Sequence, residues 1–243
     1  MRHLIISDIH ANLAALDAVL ADAGSYDKVW HLGDLVGYGP DANEVIDRLR
    51  SLPHISLAGN HDWAALGKLD LRNFNSDARE TAIWTQTNLT PDNRAYLESL
   101  KPIAIEEGYT LAHGSPNQPI EEYILDPLTA ELNFSIFTTQ VCFVGHTHWP
   151  TAYFMAQDSD RLCVQRSAKW NTAVSLNDGR WIINPGSVGQ PRDGNPAAAY
   201  GMLDPESGEW EYRRAKYPVE VTQKRMRDLK FPNRLIDRLT HGH

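Results

Sequence analysis

Three stretches, LIISDIH (residues 4–10), KVWHLGDLVG (28–37) and HISLAGNHD (54–62), follow one pattern: a short, mostly apolar run that gives way abruptly to glycine, aspartate, asparagine or histidine. The runs Leu4–Ser7, Lys28–Leu32 and His54–Leu57 read as buried strands. Between them, apolar residues recur at helical spacing over Leu13–Leu20 and Ala42–Leu49. The order is β-α-β-α-β. It implies parallel strands covered by helices, with any site at the carboxyl ends of the strands. Asp8, Asp34 and Asn60 stand just beyond those ends.

Working outward, the segment at about 63–100 is helical in character, with Ser76 expected to cap a helix over Ala78–Leu89 and Pro91 opening another. Its aromatic residues Trp63, Phe74, Trp84 and Tyr96 belong to the core or to a substrate-facing wall. From Pro102 onward strands dominate: Ile103–Glu106, Tyr109–His113, Val141–Gly145, Thr151–Met155, Leu162–Arg166, Thr172–Leu176, Trp181–Asn184, Ala198–Leu203 and Glu209–Arg214. Leu128–Phe137 interrupts them as a helix. The tail, at about 218–240, reads as basic amphipathic helices over Val219–Leu229 and Asn233–Leu239, with a solvated outer face. Two stacked sheets with helices outside hide this many strands most simply. Neither a repeat nor a linker rich in Gly, Pro or Ser divides the chain, so residues 1–243 are expected to form one domain.

The 243 residues include 23 Lys+Arg and 31 Asp+Glu, a formal net charge of −8, and are 42% hydrophobic and 22% charged. These proportions exclude a largely disordered chain. The acidic balance argues against a nucleic-acid-binding module, and a chain of this charge that handles phosphate needs an added cation. Cys142 and Cys163 are too few for a disulfide framework and read as buried apolar residues in a reducing compartment. Asp8 breaks the first apolar run too early for a signal peptide, and no later run has the length to span a bilayer. A cytoplasmic protein with no membrane partner is expected.

The chemistry concentrates in five motifs: Asp8-Ile9-His10, Gly33-Asp34-Leu35-Val36-Gly37, Gly59-Asn60-His61-Asp62, His113-Gly114-Ser115 and Gly145-His146-Thr147-His148. Any one alone reads as turn residues. Together they hold five of the ten histidines, whereas His3, His31, His54, His241 and His243 lack such context and are assigned structural or surface roles. Hard carboxylate and amide oxygens beside imidazoles, without cysteine, suit a pair of first-row divalent ions better than a closed structural zinc site. Gly37-Tyr38-Gly39-Pro40-Asp41-Ala42 nominally fits a dinucleotide fingerprint. Its glycines begin too far beyond Leu32, and Asp34 would repel a pyrophosphate.

In this order, D-x-H, G-D, G-N-H-D, a lone H and G-H-x-H resemble the calcineurin-like metallophosphoesterases, from Met1 to about Gly189. The resemblance implies an α/β fold, a four-layer αββα sandwich of two mixed β-sheets flanked by helices. It implies that Asp8, His10 and His148 hold one metal, that Asn60, His113 and His146 hold the other, and that Asp34 bridges both. His61 would stand beside the metals, donating a hydrogen bond or proton to the phosphate or its leaving oxygen. Protein Ser/Thr phosphatases of this superfamily usually continue G-D-x-V-D-R-G and have G-N-H-E. Here the chain reads Gly33-Asp34-Leu35-Val36-Gly37-Tyr38-Gly39 and Gly59-Asn60-His61-Asp62, without their phosphate-binding arginine. Gly37-Tyr38-Gly39-Pro40 and the loop Asn184-Pro185-Gly186-Ser187-Val188-Gly189-Gln190-Pro191-Arg192 look like the small bacterial and archaeal phosphodiesterase branch. That loop is expected to close over the site. Ser187 and Arg192 are then either phosphate contacts or, more plainly, a turn residue and a surface charge.

The function so implied is a dinuclear metal-dependent phosphoesterase, a phosphodiesterase acting on a small organic or nucleotide phosphate. Two ions about 3.5–4 Å apart clamp a phosphoryl group and lower the pKa of a bridging water from about 15.7 toward about 7, so a bridging hydroxide attacks. Two ions give about +4, Asp8 and Asp34 about −2 and hydroxide about −1, which leaves roughly +1 to meet a diester. Manganese is the expected metal, with iron, zinc or nickel as alternatives. The rival readings are a phosphomonoesterase or dinucleoside polyphosphate hydrolase on the same site, and a non-catalytic protein-binding scaffold of the same fold. A scaffold would tolerate loss of ligands, and none is lost here.

Overall fold

The computed structural model describes residues 1–156 and 162–243. Its strands, in chain order, are β1 (His3–Ile6), β2 (Lys28–His31), β3 (His54–Ser56), β4 (Ile103–Glu106), β5 (Tyr109–Ala112), β6 (Val141–Phe143), β7 (Thr151–Met155), β8 (Cys163–Ser167), β9 (Ala173–Ser175), β10 (Arg180–Asn184), β11 (Ala198–Asp204) and β12 (Glu209–Ala215). The helices are α1 (Leu13–Asp22), α2 (Ala42–Arg50), α3 (Asn60–Ala65), α4 (Ser76–Asn88), α5 (Pro91–Ser99), α6 (Pro127–Phe134), α7 (Val219–Asp228) and α8 (Asn233–His241).

Alternation along β1 sets the layering. Leu4 and Ile6 point to one side, into an apolar cluster with Leu16 and Val19 of α1 and Val45 and Ile46 of α2. Ile5 points to the other, where it meets Trp30, Leu32, Phe143, Ile183 and Trp210 between two sheets. A strand buried on both faces needs an unbroken apolar run, because successive side chains take opposite sides. Both sheets have six strands, in the orders β3-β2-β1-β11-β12-β9 and β4-β5-β6-β10-β7-β8. In the first, β1, β2 and β3 are parallel, β11 pairs antiparallel with β1, β12 with β11 and β9 with β12; in the second, β5, β6 and β10 are parallel, β4 pairs antiparallel with β5, β7 with β10 and β8 with β7. Phe134 and Ala130 of α6 cover the outer face of the second sheet at Cys142, Tyr153 and Ile182. The result is the expected α/β sandwich of two mixed sheets between helices.

Local details correct the reading of the sequence. Asn75 caps α4, its side chain accepting the Ala78 N–H at 2.9 Å, while Ser76 is already helical. Adjacent residues were both competent caps, and the extended backbone of Asn75 decides between them. Asn60 and His61, just beyond the end of β3, open a helix, α3, behind Gly59, earlier than the helical segment expected from about residue 63. The helix expected at Leu128–Phe137 begins at Pro127, with Asp126 capping it, and stops at Phe134. The tail helices have the expected charged face, where Arg225 meets Asp41 at 2.7 Å and Glu44 at 2.9 Å. Their other face is core: Met226, Phe231, Leu235, Ile236 and Leu239 pack with Ala78 of α4 and with Tyr38. Cys142 and Cys163 are buried and free. Among the described residues no helix is long and apolar enough to cross a membrane.

Candidate metal centre

The chain turns sharply as it leaves β1, β2 and β6, and it does so on functional side chains. Asp8, His10, Asp34, His146 and His148 all have left-handed backbones, with φ of 54°, 48°, 57°, 66° and 59°. For residues with a Cβ this conformation costs on the order of 1–3 kcal/mol each, and aspartate and histidine are among the types that adopt it most often. The turns brace one another: Asp8 N–H donates to Gly33 O and His10 N–H to Asp34 O, both at 3.0 Å. Gly59 carries no side chain because a Cβ there would overlap the Asp34 carboxylate.

Asp62 is a residue whose role the sequence did not disclose. Its buried carboxylate accepts the N–H groups of Asp34 (2.9 Å), Val36 (3.1 Å) and Gly59 (2.9 Å), tying the loop after β2 to the start of α3. An aspartate three residues after a capping glycine was the available signal.

Seven of the expected residues converge. Donor atoms of Asp8, His10, Asp34 and His148 lie within 4.8 Å of one another, as do those of Asp34, His113 and His146. Asn60 Oδ1 is 3.1 Å from His113 Nε2 and joins the second group. The ring nitrogens Nδ1 of His10, His113 and His148 face the carbonyls of Val36 (3.1 Å), Leu32 (3.0 Å) and Gln190 (2.6 Å). A carbonyl only accepts, so each Nδ1 carries the proton and each Nε2 presents a lone pair inward. His10 Nε2 and His148 Nε2 are then 3.0 Å apart, and His113 Nε2 is 3.1 Å from His146 Nδ1.

Burial sets the proton affinities of these side chains. It pushes His10, His113 and His148 well below the usual histidine range and His146 down to about 4. It pushes Asp8 up to about 7, Asp62 up to about 6 and Asp34 well above the carboxylate range. Asp8 Oδ1 and Asp34 Oδ2 are buried without a hydrogen-bond partner. Asp8 Oδ1 lies 3.4 Å from His148 Nε2, and Asp34 Oδ2 lies 3.6 Å from His10 Nε2 and 3.5 Å from His113 Nε2. The facing lone pairs of His10 and His148 and the carboxylate oxygens Asp8 Oδ1 and Asp34 Oδ2, which lack donors, are matched by cations, so the residues fit divalent metals.

His61 stands beside this cluster. Its ring packs against Tyr38 at 4.3 Å and edge-on to His10 at 4.9 Å, and Nδ1 sits against Gly37, whose positive φ of 91° and missing Cβ make room. Burial first, then the Arg192 charge, lower its pKa to about 3. A cleft of about 220 Å³ opens over Asn60, His61 and His146. Of the expected wall, Phe74 lines it, while Trp84 packs against Phe231 and Tyr96 hydrogen-bonds His54. Tyr123, which the sequence did not single out, also lines it and stacks on His146 at 3.8 Å.

The loop 184–192 is pinned to the centre. Ser187 Oγ donates to Asp8 O and accepts from Gln190 N–H, both at 2.8 Å, and the residue is fully buried. It holds the Asp8 turn and does not face the cleft, so the phosphate-contact reading of Ser187 gives way to the turn residue. Arg192 donates to Gln190 Oε1 at 3.0 Å and stands 5.8 Å from the Tyr38 ring centroid. Its charge favours the ionised forms of Asp8 and Asp34.

A two-sheet sandwich with this cluster at its strand ends defines a class, and residues 1–208 match the calcineurin-like phosphoesterase superfamily domain: the chain belongs to that family of phosphoester hydrolases. It is 44% identical to a metallophosphoesterase of Sphaerobacter thermophilus, whose crystal structure superposes with a TM-score of 0.91 over 100% of this chain and 99% of that one. It is 35% identical to the uncharacterised protein MJ0912 of Methanocaldococcus jannaschii over 98% of this chain and 97% of that protein. The hypothetical protein PH1004 of Pyrococcus horikoshii, at 19% identity, shares the fold with a TM-score of 0.80 over 100% and 98% of the two chains.

Proposed function

We propose that the chain is a dinuclear metal-dependent phosphodiesterase acting on a small organic or nucleotide phosphate. The position of Asp34 carries the reading: one buried, otherwise unpartnered oxygen, Oδ2, lies between His10 and His113 and belongs to both donor groups. Asp8, His10, Asp34 and His148 would hold one ion, and Asp34, Asn60, His113 and His146 the other. Manganese is the expected pair, with iron, zinc and nickel compatible with the same donors. When bound, two such ions polarise the phosphoryl oxygens and supply a nucleophile from water at neutral pH.

The chain's own groups do the rest. His61, neutral at working pH and in the floor of the cleft, donates an N–H to a phosphoryl or departing oxygen. Asn60 and Arg192 supply further donors to the anion. The charge balance set out above favours a diester over a monoester or a polyphosphate. A scaffold reading gains nothing from a centre whose whole donor set converges.

Elemental analysis of protein supplied with excess Mn²⁺ should give two ions per chain, and Asp34→Asn should lose both because one carboxylate serves both groups. The same preparation should hydrolyse bis-(4-nitrophenyl) phosphate faster than 4-nitrophenyl phosphate. One ion or none would sink the dinuclear reading; faster monoester turnover would make the protein a phosphatase.

A further inference from the structure

Three aromatic rings from separate segments line the cleft, and each rests on the centre beneath it: Tyr38, packed on His61 as described above, Phe74 and Tyr123. Phe74 packs edge-on to His61, centroids 5.5 Å apart and planes at 88°, and Tyr123 lies flat on His146, with planes at 24°. The remaining polar lining above the floor is Asn73, Asn75 and the exposed Glu121. Asn75 spends its carbonyl on capping α4, which leaves its amide N–H₂ uncommitted. No lysine or arginine lines the cleft among the described residues, and Arg192 approaches the centre from the Tyr38 side.

We infer that this cleft receives the non-reacting arm of the diester, and that the arm is one uncharged, planar, hydrogen-bonding ring system of the nucleoside type. The inference rests on the phosphodiesterase reading above. Aromatic faces bind such rings by stacking, and amide groups pair with their polar edges. Glu121, in a chain of net charge −8 and without a neighbouring cation in the lining, disfavours a carboxylate or a second phosphate on the arm. At about 220 Å³ the cleft is smaller than the roughly 300–1,000 Å³ of sites that enclose drug-sized ligands. The cleft suits one ring system, and the second base of a dinucleoside polyphosphate would extend beyond it.

Calorimetric titration of the full chain in excess Mn²⁺ tests this with three slowly cleaved diesters that share the reacting group: dimethyl phosphate, thymidine 5′-(methyl phosphate) and 2-carboxyethyl methyl phosphate. The thymidine ester should bind at least about tenfold more tightly than dimethyl phosphate, and the carboxylated ester more weakly than the thymidine ester. Phe74→Ala and Tyr123→Ala should each bring the first ratio down toward one, while Phe74→Tyr keeps it. Glu121→Lys should raise affinity for the carboxylated ester several-fold. Equal affinity for the thymidine and dimethyl esters, or alanine variants that weaken both equally, would overturn the inference while bis-(4-nitrophenyl) phosphate hydrolysis by the same preparation leaves the phosphodiesterase reading intact. Without that hydrolysis both fall.

Discussion

His61 and Asp62 are neighbours with opposite duties. As consecutive residues of a helix they diverge by about 100°, so Asn60 can face the donor cluster while His61 faces the cleft and Asp62 the backbone behind it. His61→Ala should therefore keep its metals and its fold but lose about 10²–10⁴-fold in kcat, more for a diester with a poor leaving group. Retained metal with unchanged kcat on both good and poor leaving groups would remove His61 from the chemistry. Asp62→Ala should behave differently. It strands three buried N–H groups at about 1–3 kcal/mol each, so urea denaturation should show a loss of at least about 3 kcal/mol, with weakened metal retention as Asp34 shifts. Normal stability would mean that those amides find other acceptors. The donor residues were legible because each follows an apolar run at a strand end. Asp62 and Tyr123 were not: the first acts on backbone groups brought to it by a turn, and the second reaches His146 from a loop without periodicity.

Among the elements, the twelve strands of the described residues stand where alternation and apolar runs put them, most plainly the central ones such as β1, β6 and β11, which are buried throughout or nearly so. Short pieces escaped. Six-residue α3 has too few positions to show a helical period, so its start at Asn60 was not legible. The inner faces of α7 and α8 were legible as apolar, but their partner, Tyr38, lies in a distant loop. The end of α7 offers a clean test of local backbone physics. Lys230 N–H donates to Arg227 O and Phe231 N–H to Met226 O, the paired bonds of a helix stop that favours glycine, yet exposed Lys230 occupies it with φ of 59°. Removing its Cβ relieves about 1–2 kcal/mol, offset by about 0.5–1 kcal/mol of extra chain entropy in the unfolded state. Lys230→Gly should raise Tm by about 2 °C in a thermal scan; a lower Tm would show that the lysine side chain contributes a contact of its own.

For the molecule as a whole, the proposed metal uptake would be coupled to proton release. Burial pushes Asp8 up to about 7 and Asp34 well above the carboxylate range, whereas the four histidines are already neutral well above their lowered pKa values. Cations need the carboxylates ionised, so binding expels their protons, more at pH 6 than at pH 8, and affinity falls as pH drops below about 7. Calorimetry with Mn²⁺ in two buffers of different ionisation enthalpy measures that release; none at pH 6 would show the carboxylates already ionised in the empty centre. The five left-handed residues carry the argument into selection. Glycine at any of them sheds backbone strain and removes a buried ionisable group, so a variant library sorted for heat resistance in the presence of chelator should erode the centre before the core. Sorted with metal present, the same library should keep it. In the proposed centre a bound ion, rather than the fold, would make aspartate and histidine tolerable at those turns.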